Sequence, residues 1–315
     1  PRALGGDLGC GMSALRTSIG ADALARTTLR NIVAALEKAI PAGSELHRGK
    51  GVGVPDSLFS DPLSTNALDH ARAALASRHL GTLGGGNHFL ELDRDAEGQV
   101  WMLVHSGSRG LGAAVAAHHV KATGDTNALA GIDCHEREGE AYLRDHAWAL
   151  TFARANRRAL ATKAAEIVGD VLHASFDIDE PIDVHHNFVA RERWNGRDLL
   201  VHRKGAIAAP AGALALVPGS MGTASYVVEG LGNPASFGSC SHGAGRVLTR
   251  TEARKTIGTE ALARAMRNVV HPEALARKLV EEAPAAYRDI VEVLDHQRDL
   301  VKKRTRLEPI AVLKG

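Results

Sequence analysis

The sequence predicts a single large α+β domain, on three observations. The chain has 315 residues, of which 44% are hydrophobic and 23% charged, an ordinary globular composition long enough to bury one sizeable core. Apolar residues recur at helical spacing in several stretches and alternate with period two in others, so both element types are present. No internal repeat or low-complexity segment divides the chain. Thirty-eight basic residues against 36 acidic ones give a formal net charge of +2, so any basic footprint for nucleic acid must be local. The compositional outlier is histidine, with 16 copies. Cys10, Cys134 and Cys240 are too few for a disulfide framework, and no stretch reads as a signal peptide or a bilayer-spanning run, so the expected compartment is the cytoplasm, with no membrane partner.

Asp7-Leu8-Gly9-Cys10-Gly11 comes first. Glycines on both sides leave the cysteine sulfur accessible, and an oxygen and a thiolate three residues apart suit a metal held from one turn; a turn with a buried thiol is the alternative. Residues 22–40 carry Leu24, Leu29, Ile32, Val33, Leu36 and Ile40 near helical spacing and stop at Pro41, which predicts a helix. Residues 64–81 predict a second, with Ser64 as its N-cap, and the glycine-rich basic stretch 47–53 between them reads as a solvated loop. In 81–92, three glycines lead into a strand in which Asn87, Phe89 and Glu91 share one face and His88, Leu90 and Leu92 the other.

The apolar strand 100–104 ends in the loop His105-Ser106-Gly107-Ser108-Arg109-Gly110, followed by a helix over 111–122. Strand, small-residue loop and helix aim backbone N–H groups at an anion, with Arg109 in reach, though the Gly-Lys-Ser/Thr ending of a Walker loop is missing. A long helix over 138–172 is expected to break near Gly169, and His118, His119, Cys134, His135, His146 and His173 read as packing or surface residues. Residues 182–189 predict one strand placing His185 and His186 on opposite faces, and Asn195-Gly196 signals a type I′ turn back towards His202. His202-Arg203-Lys204-Gly205 and the Gly/Ser/Thr-rich stretch 217–226 suit phosphate or base contacts. In Gly-Ser-Cys-Ser-His-Gly-Ala-Gly-Arg, residues 238–246, His242 sits among glycines that allow backbone N–H groups close to a phosphate, where an imidazole can attack phosphorus. Helices are expected over 251–266 and 284–301, and a closing strand over 302–315.

The unusual positions are thus Asp7, Cys10, His88, His105, His186 and His242, with cations at Arg109, Lys204 and Arg246. A carboxylate, a thiolate and three imidazoles exceed one tetrahedral ion, and two metals sharing the cysteine would use them economically, a pair suited to clamping phosphoryl oxygens. Ligand softness favours zinc, whereas positions open to phosphate oxygen favour manganese.

Asp-Leu-Gly-Cys-Gly, Gly-Gly-Gly-Asn-His-Phe-Leu-Glu, Val-His-Ser-Gly-Ser-Arg-Gly, His-Asn, His-Arg-Lys-Gly-Ala, Pro-Gly-Ser-Met-Gly-Thr-Ala-Ser-Tyr, Ser-His-Gly-Ala-Gly-Arg and a terminal Lys-Gly occur here in one order. That order resembles the RtcB family of RNA-splicing ligases, from Asp7 to Gly315. The resemblance implies one catalytic domain over residues 1–315, with mixed sheets forming a metal and nucleotide cleft flanked by helices. It implies a ligase dependent on GTP and two Mn2+ ions that joins an RNA 3′-phosphate or 2′,3′-cyclic phosphate to a 5′-hydroxyl, and an archease-type activating partner. His242 would be the guanylylated nucleophile. Asp7, Cys10 and His88 would hold one metal and Cys10, His105 and His186 the other. Asn87, Phe89, Glu91, Ser220, Ser225 and Lys314 would line the nucleotide pocket, Arg109 and Lys204 would contact RNA phosphates, and Arg246 would belong to the nucleophile loop. The segment before Asp7 is shorter than is usual for the family, which would impair RNA docking or stability if Pro1 were the true start. Short linkers between motifs point to a divergent subgroup whose RNA differs from tRNA halves. Two rival readings are a two-metal phosphoesterase acting on cyclic phosphates and an inactive RNA-binding homologue.

Overall fold

The computed structural model describes residues 1–124, 129–272 and 279–315. Among the described residues the helices are, in chain order, α1 Arg26–Ala39, α2 Asn66–His79, α3 Arg109–Ala122, α4 Arg137–Leu172, α5 Arg250–Thr256, α6 Thr259–Ala265 and α7 Ile290–Asp295. The strands are β1 Gly11–Gly20, β2 Phe89–Arg94, β3 Gln99–Ser106, β4 Ile182–His185, β5 Asn187–Trp194, β6 Arg197–Lys204, β7 Ala206–Ala208, β8 Leu214–Val217, β9 Ser225–Gly230, β10 Ser239–Ser241 and β11 Val301–Lys314.

Seven strands form one antiparallel sheet in the order β4-β1-β3-β2-β11-β9-β8. Its two edge strands approach each other, Ile182 and Val184 packing against Leu216, so the sheet curls into a nearly closed barrel. Alternation sorts the side chains. Leu90, Leu92, Val100, Met102 and Val104 pack outward against Ile32 and Leu36 of α1 and Leu160 and Ala164 of α4. Met12, Ala14, Trp101, Leu103, Val227 and Leu307 fill the interior with Phe89 beside them. A strand buried on both faces reads as a continuous apolar run, which is why β3 does. The small pairs β7–β10 and β5–β6 stand apart from this sheet.

Several boundaries differ from the sequence expectation. The cap of α2 is Thr65, whose side chain accepts from Leu68 N, while Ser64 is drawn off by Asp145. His105 and Ser106 are the last residues of β3, and α3 starts at Arg109. Gly169 does not break α4: its carbonyl accepts from Ala174 N and that of Asp170 from His173 N, so Gly169 lies in the last turn of a Schellman ending with His173 left-handed at φ 52°. Residues 182–189 form two strands, because β4 pairs with β1 while β5 pairs with β6, and His186 lies at the break. The stretch 251–266 divides at Gly258 into α5 and α6, and within 284–301 only a 3-10 turn and α7 are helical, because β11 already begins at Val301.

Candidate active site at the mouth of the barrel

Cys10 immediately precedes β1, His88 precedes β2, His105 is the last residue but one of β3 and His186 joins β4 to β5. Since β4, β1, β3 and β2 are neighbours, the sheet itself brings these four side chains to one end. Cys10 Sγ lies 3.3 Å from His88 Nε2 and 3.4 Å from His105 Nε2. His105 Nε2 lies 2.9 Å from His186 Nε2, and Asp7 Oδ2 3.2 Å from His88 Nε2. Although β2 begins only at Phe89, the expected alternation holds: Asn87, Phe89 and Glu91 line one cleft, whereas His88 does not and reaches Cys10 instead.

The tautomers follow from the backbone. His88 Nδ1–H donates to Leu83 O at 2.9 Å and His105 Nδ1–H to Asn87 O at 3.0 Å. A carbonyl only accepts, so each ring keeps a proton on Nδ1, and Nε2, on the side of the sulfur, is the atom through which it would bind a metal. Burial holds His105 well below the usual histidine range, and burial with the neighbouring His242 holds His186 down at about 3. Burial, and secondarily Asp7, push the Cys10 thiol well up. Burial would raise Asp7 too, but its hydrogen bond with His88 and the charges of His88 and Arg109 bring it below the usual carboxylate range. Imidazoles, two of them (His105 and His186) held neutral by burial, and a thiol that ionises only beside a cation face one another at hydrogen-bonding distances and form a donor set suited to metal. Cys10, His88 and His105 offer three donor atoms within 4.8 Å of one another, all buried. Asp133, Cys134 and His135 do so at the surface, but these are consecutive residues of a turn in which Asp133 Oδ1 accepts from His135 N.

The loop that follows β3 lies against an anion of the protein's own, the Asp7 carboxylate. The Asp7 carboxylate lies so close to Gly107 that a Cβ there would sit 2.3 Å from Oδ1, and Ser108 Oγ donates to it at 3.3 Å. The Arg109 guanidinium packs over Gly84, where a Cβ would meet Cζ at 2.1 Å, and its Nε donates to Thr82 Oγ1. That contact is what one member of the triple glycine is for.

Beside the cluster opens a cleft of about 190 Å³ lined by His105, His186, His242, Asn87, Phe89, Glu91, Ser220, Ser225, Arg246 and Lys314. His242 follows β10, which β7 holds in register, and its ring lies 4.9 Å from that of His186. His242 Nδ1–H donates to Gly205 O at 2.8 Å, leaving the lone pair on Nε2, and burial lowers its pKa. Gln297 braces the preceding residue, accepting from Ser241 N at 2.7 Å and donating to Ser241 Oγ at 2.8 Å. At the other end, Lys314 Nζ donates to Asn87 O at 3.3 Å, lies 3.7 Å from Glu282 Oε2 and 5.2 Å from the centre of the Phe89 ring. Burial, then Asp93, push the Glu91 carboxyl well above its usual range against the pull of Lys314, and burial pushes Asp93 up to about 7.

Arg109 and Lys204, expected as RNA-phosphate contacts, lie outside the cleft: Arg109 stands near Asp7 and Lys204 is exposed at the end of β6. Arg203, read with Lys204 as a phosphate ligand, is buried and tied to Glu192 and Ser239. Sequence reasoning missed Arg250, Glu282 and Tyr287, which also line the cleft. Arg246 Nη1 donates to Glu282 Oε1 at 3.1 Å and Tyr287 Oη at 3.0 Å, and Arg250 Nε to the same carboxylate at 3.1 Å. Nothing in their spacing marks them, because they sit in helical or irregular stretches without glycine punctuation. Among the described residues, no helix is long and apolar enough to cross a membrane.

The family model described as tRNA-splicing ligase RtcB matches residues 61–315. The chain is 36% identical to the RNA-splicing ligase RtcB of Escherichia coli K12, an alignment covering 100% of this chain and 83% of that protein. It is 34% identical to the RNA-splicing ligase RtcB of Mycobacterium tuberculosis (92% and 77% covered). Against the tRNA-splicing ligase RtcB of Pyrobaculum aerophilum the identity is 30% (100% and 81% covered). With the cysteine–histidine cluster and the His242 cleft in place, these matches make the chain a member of the RtcB family.

Proposed function

We propose that the chain is an RNA ligase that joins a 3′-phosphate or 2′,3′-cyclic phosphate end to a 5′-hydroxyl end, using GTP and two Mn2+ ions, through a guanylyl-histidine at His242. The observation that carries this reading is the position of His242: its tautomer is fixed by Gly205 O, the metal-ligating cluster begins at its neighbour His186, and Glu91 and Lys314 line the same cleft. The names of the relatives, RNA-splicing and tRNA-splicing ligases, support it.

In this reading Asp7, Cys10 and His88 would hold one ion, and Cys10, His105 and His186 the other. The ions, when bound, supply positive charge to the phosphate oxygens. A neutral His242 is a competent nucleophile near pH 7, and burial keeps it so. Its Nε2 attacks the α-phosphorus of GTP; the N–P bond forms and pyrophosphate leaves. An oxygen of the RNA 3′-phosphate then attacks the same phosphorus, the N–P bond breaks, and GMP passes to the RNA. The 5′-hydroxyl attacks the RNA phosphorus, losing its proton as GMP leaves. A cyclic phosphate is first opened by water to a 3′-phosphate. Glu91 and Lys314 read the guanine edge, Asn87, Phe89, Ser220 and Ser225 complete the nucleotide pocket, Arg246 braces the nucleophile loop, and Arg109 and Lys204 contact RNA phosphates. The partners are RNA with those ends and an archease-type activator.

The test supplies Mn2+, GTP and two RNAs, one ending in 2′,3′-cyclic phosphate and one beginning with 5′-hydroxyl. Joined product that requires GTP is the expected result. Opening of the cyclic phosphate without joining would replace ligation with phosphoesterase activity, and RNA binding without either would leave a non-catalytic module.

A further inference from the structure

Two adjacent residues of α4, Asn156 and Arg157, lie fully buried behind the segments that carry Cys10, His88 and His105. Arg157 Nη1 donates to Gly9 O at 3.0 Å and to Ser106 O at 3.1 Å, residues immediately before Cys10 and after His105. Its Nε and Nη2 are held by the Asp183 carboxylate at 2.7 and 2.6 Å. The Asn156 amide nitrogen donates to Thr82 O at 3.1 Å, Ser106 Oγ at 3.0 Å and Gly107 O at 3.2 Å, and its Oδ1 accepts from Gly81 N at 2.7 Å and Thr82 N at 3.2 Å. Ser106 Oγ in turn donates to Leu83 O at 2.8 Å, the carbonyl that also receives His88 Nδ1–H. Gly9 O takes a second bond, from His185 Nδ1–H at 2.9 Å.

Burying a guanidinium and a carboxamide costs several kcal/mol unless their groups are paired, and an apolar pair would anchor the helix as well. Here the bonds are spent on the backbones of the ligand-bearing segments. We propose that Asn156 and Arg157 are positioning residues for the metal pair: from one turn of α4 they fix the relative placement of Cys10, His88 and His105, so that sulfur and imidazoles converge before an ion arrives. The inference rests on reading those three side chains as metal ligands, and the experiment separates the two.

Metal-free protein is titrated with Co2+, followed by the thiolate-to-cobalt charge-transfer band and by equilibrium dialysis, with no substrate present. Loss of an outer partner of a ligand typically weakens metal binding about 10–100-fold. Arg157→Lys, which keeps the charge but not the fork, and Asn156→Asp, which keeps the acceptor but not the donors, are expected to lose affinity on that scale and to shift the band. Phe152→Leu, which trims packing on the same helix against Leu80 and Leu111, sets the loss due to destabilisation alone. Should Arg157→Lys fail to fold, Asn156→Asp decides. Variants that bind Co2+ as tightly as Phe152→Leu, with an unchanged band, overturn the positioning role. A parent protein that gives no thiolate band removes the ligand reading, and the inference with it.

Discussion

At His242 the decisive atom is Nδ1. Its proton is committed to Gly205 O, so the ring can act only through Nε2. The same device recurs at His88 and His105, where Leu83 O and Asn87 O fix the tautomers and turn each Nε2 towards Cys10. Cys10 Sγ lies within 3.5 Å of both rings, so in the proposed metal pair it would be the shared ligand. Cys10→Ala is therefore expected to lose both ions and His186→Ala one, read as metal content of dialysed protein by elemental mass spectrometry; a Cys10→Ala protein retaining two ions would contradict the shared sulfur. These residues were legible because each sits in a glycine- or strand-end motif. Asn156, Arg157 and Gln297 were not, because a buried polar residue inside a helical stretch shares its spacing with core.

At the level of elements, α4 holds the strands from behind. Besides Asn156 and Arg157 it carries His146, whose Nε2 accepts from Val189 N of β5 at 3.2 Å. Burial, then the charge of His202, lowers the His146 pKa from 6.5 to about 4. The folded state thus refuses a proton that the unfolded chain accepts. The contribution is complete above pH 6.5, and it is lost as pH falls from there towards 4. The slope for one such group is at most about 1.4 kcal/mol per pH unit. His146→Gln keeps an acceptor without the titration, so urea melts between pH 6.5 and 4.5 are expected to fall roughly 1 kcal/mol per unit less steeply than for the parent; equal slopes would mean that His146 is protonated in the fold. Helices α1 to α4 and strands β2, β3 and β11 were recognisable from periodicity alone. The division at His186 was not, because the apolar pattern runs through it, and only the choice of partner, β1 for β4 and β6 for β5, makes the break.

Over the whole molecule, the active site is made by closure. The 14-residue β11 pairs with both β2 and β9, joining the first half of the chain to the last. Its end returns Lys314 to the cleft, and Gly315 N donates to His88 O at 3.0 Å. No local reading of the sequence places a terminal dipeptide beside a residue 227 positions earlier, and only the resemblance to a family pointed there. Removing Lys314 and Gly315 is expected to leave the melting transition nearly in place, because the rest of β11 remains paired, while weakening GTP binding at least tenfold by calorimetry. Undiminished binding would take Lys314 out of the nucleotide pocket.

The most direct test of the central claim is to incubate the Mn2+-loaded protein with GTP and map the adduct by peptide mass spectrometry. The account predicts one acid-labile GMP on the peptide bearing His242, released on adding RNA with a 3′-phosphate end and absent from His242→Ala. An adduct that persists in His242→Ala, or none on the parent protein, would contradict it.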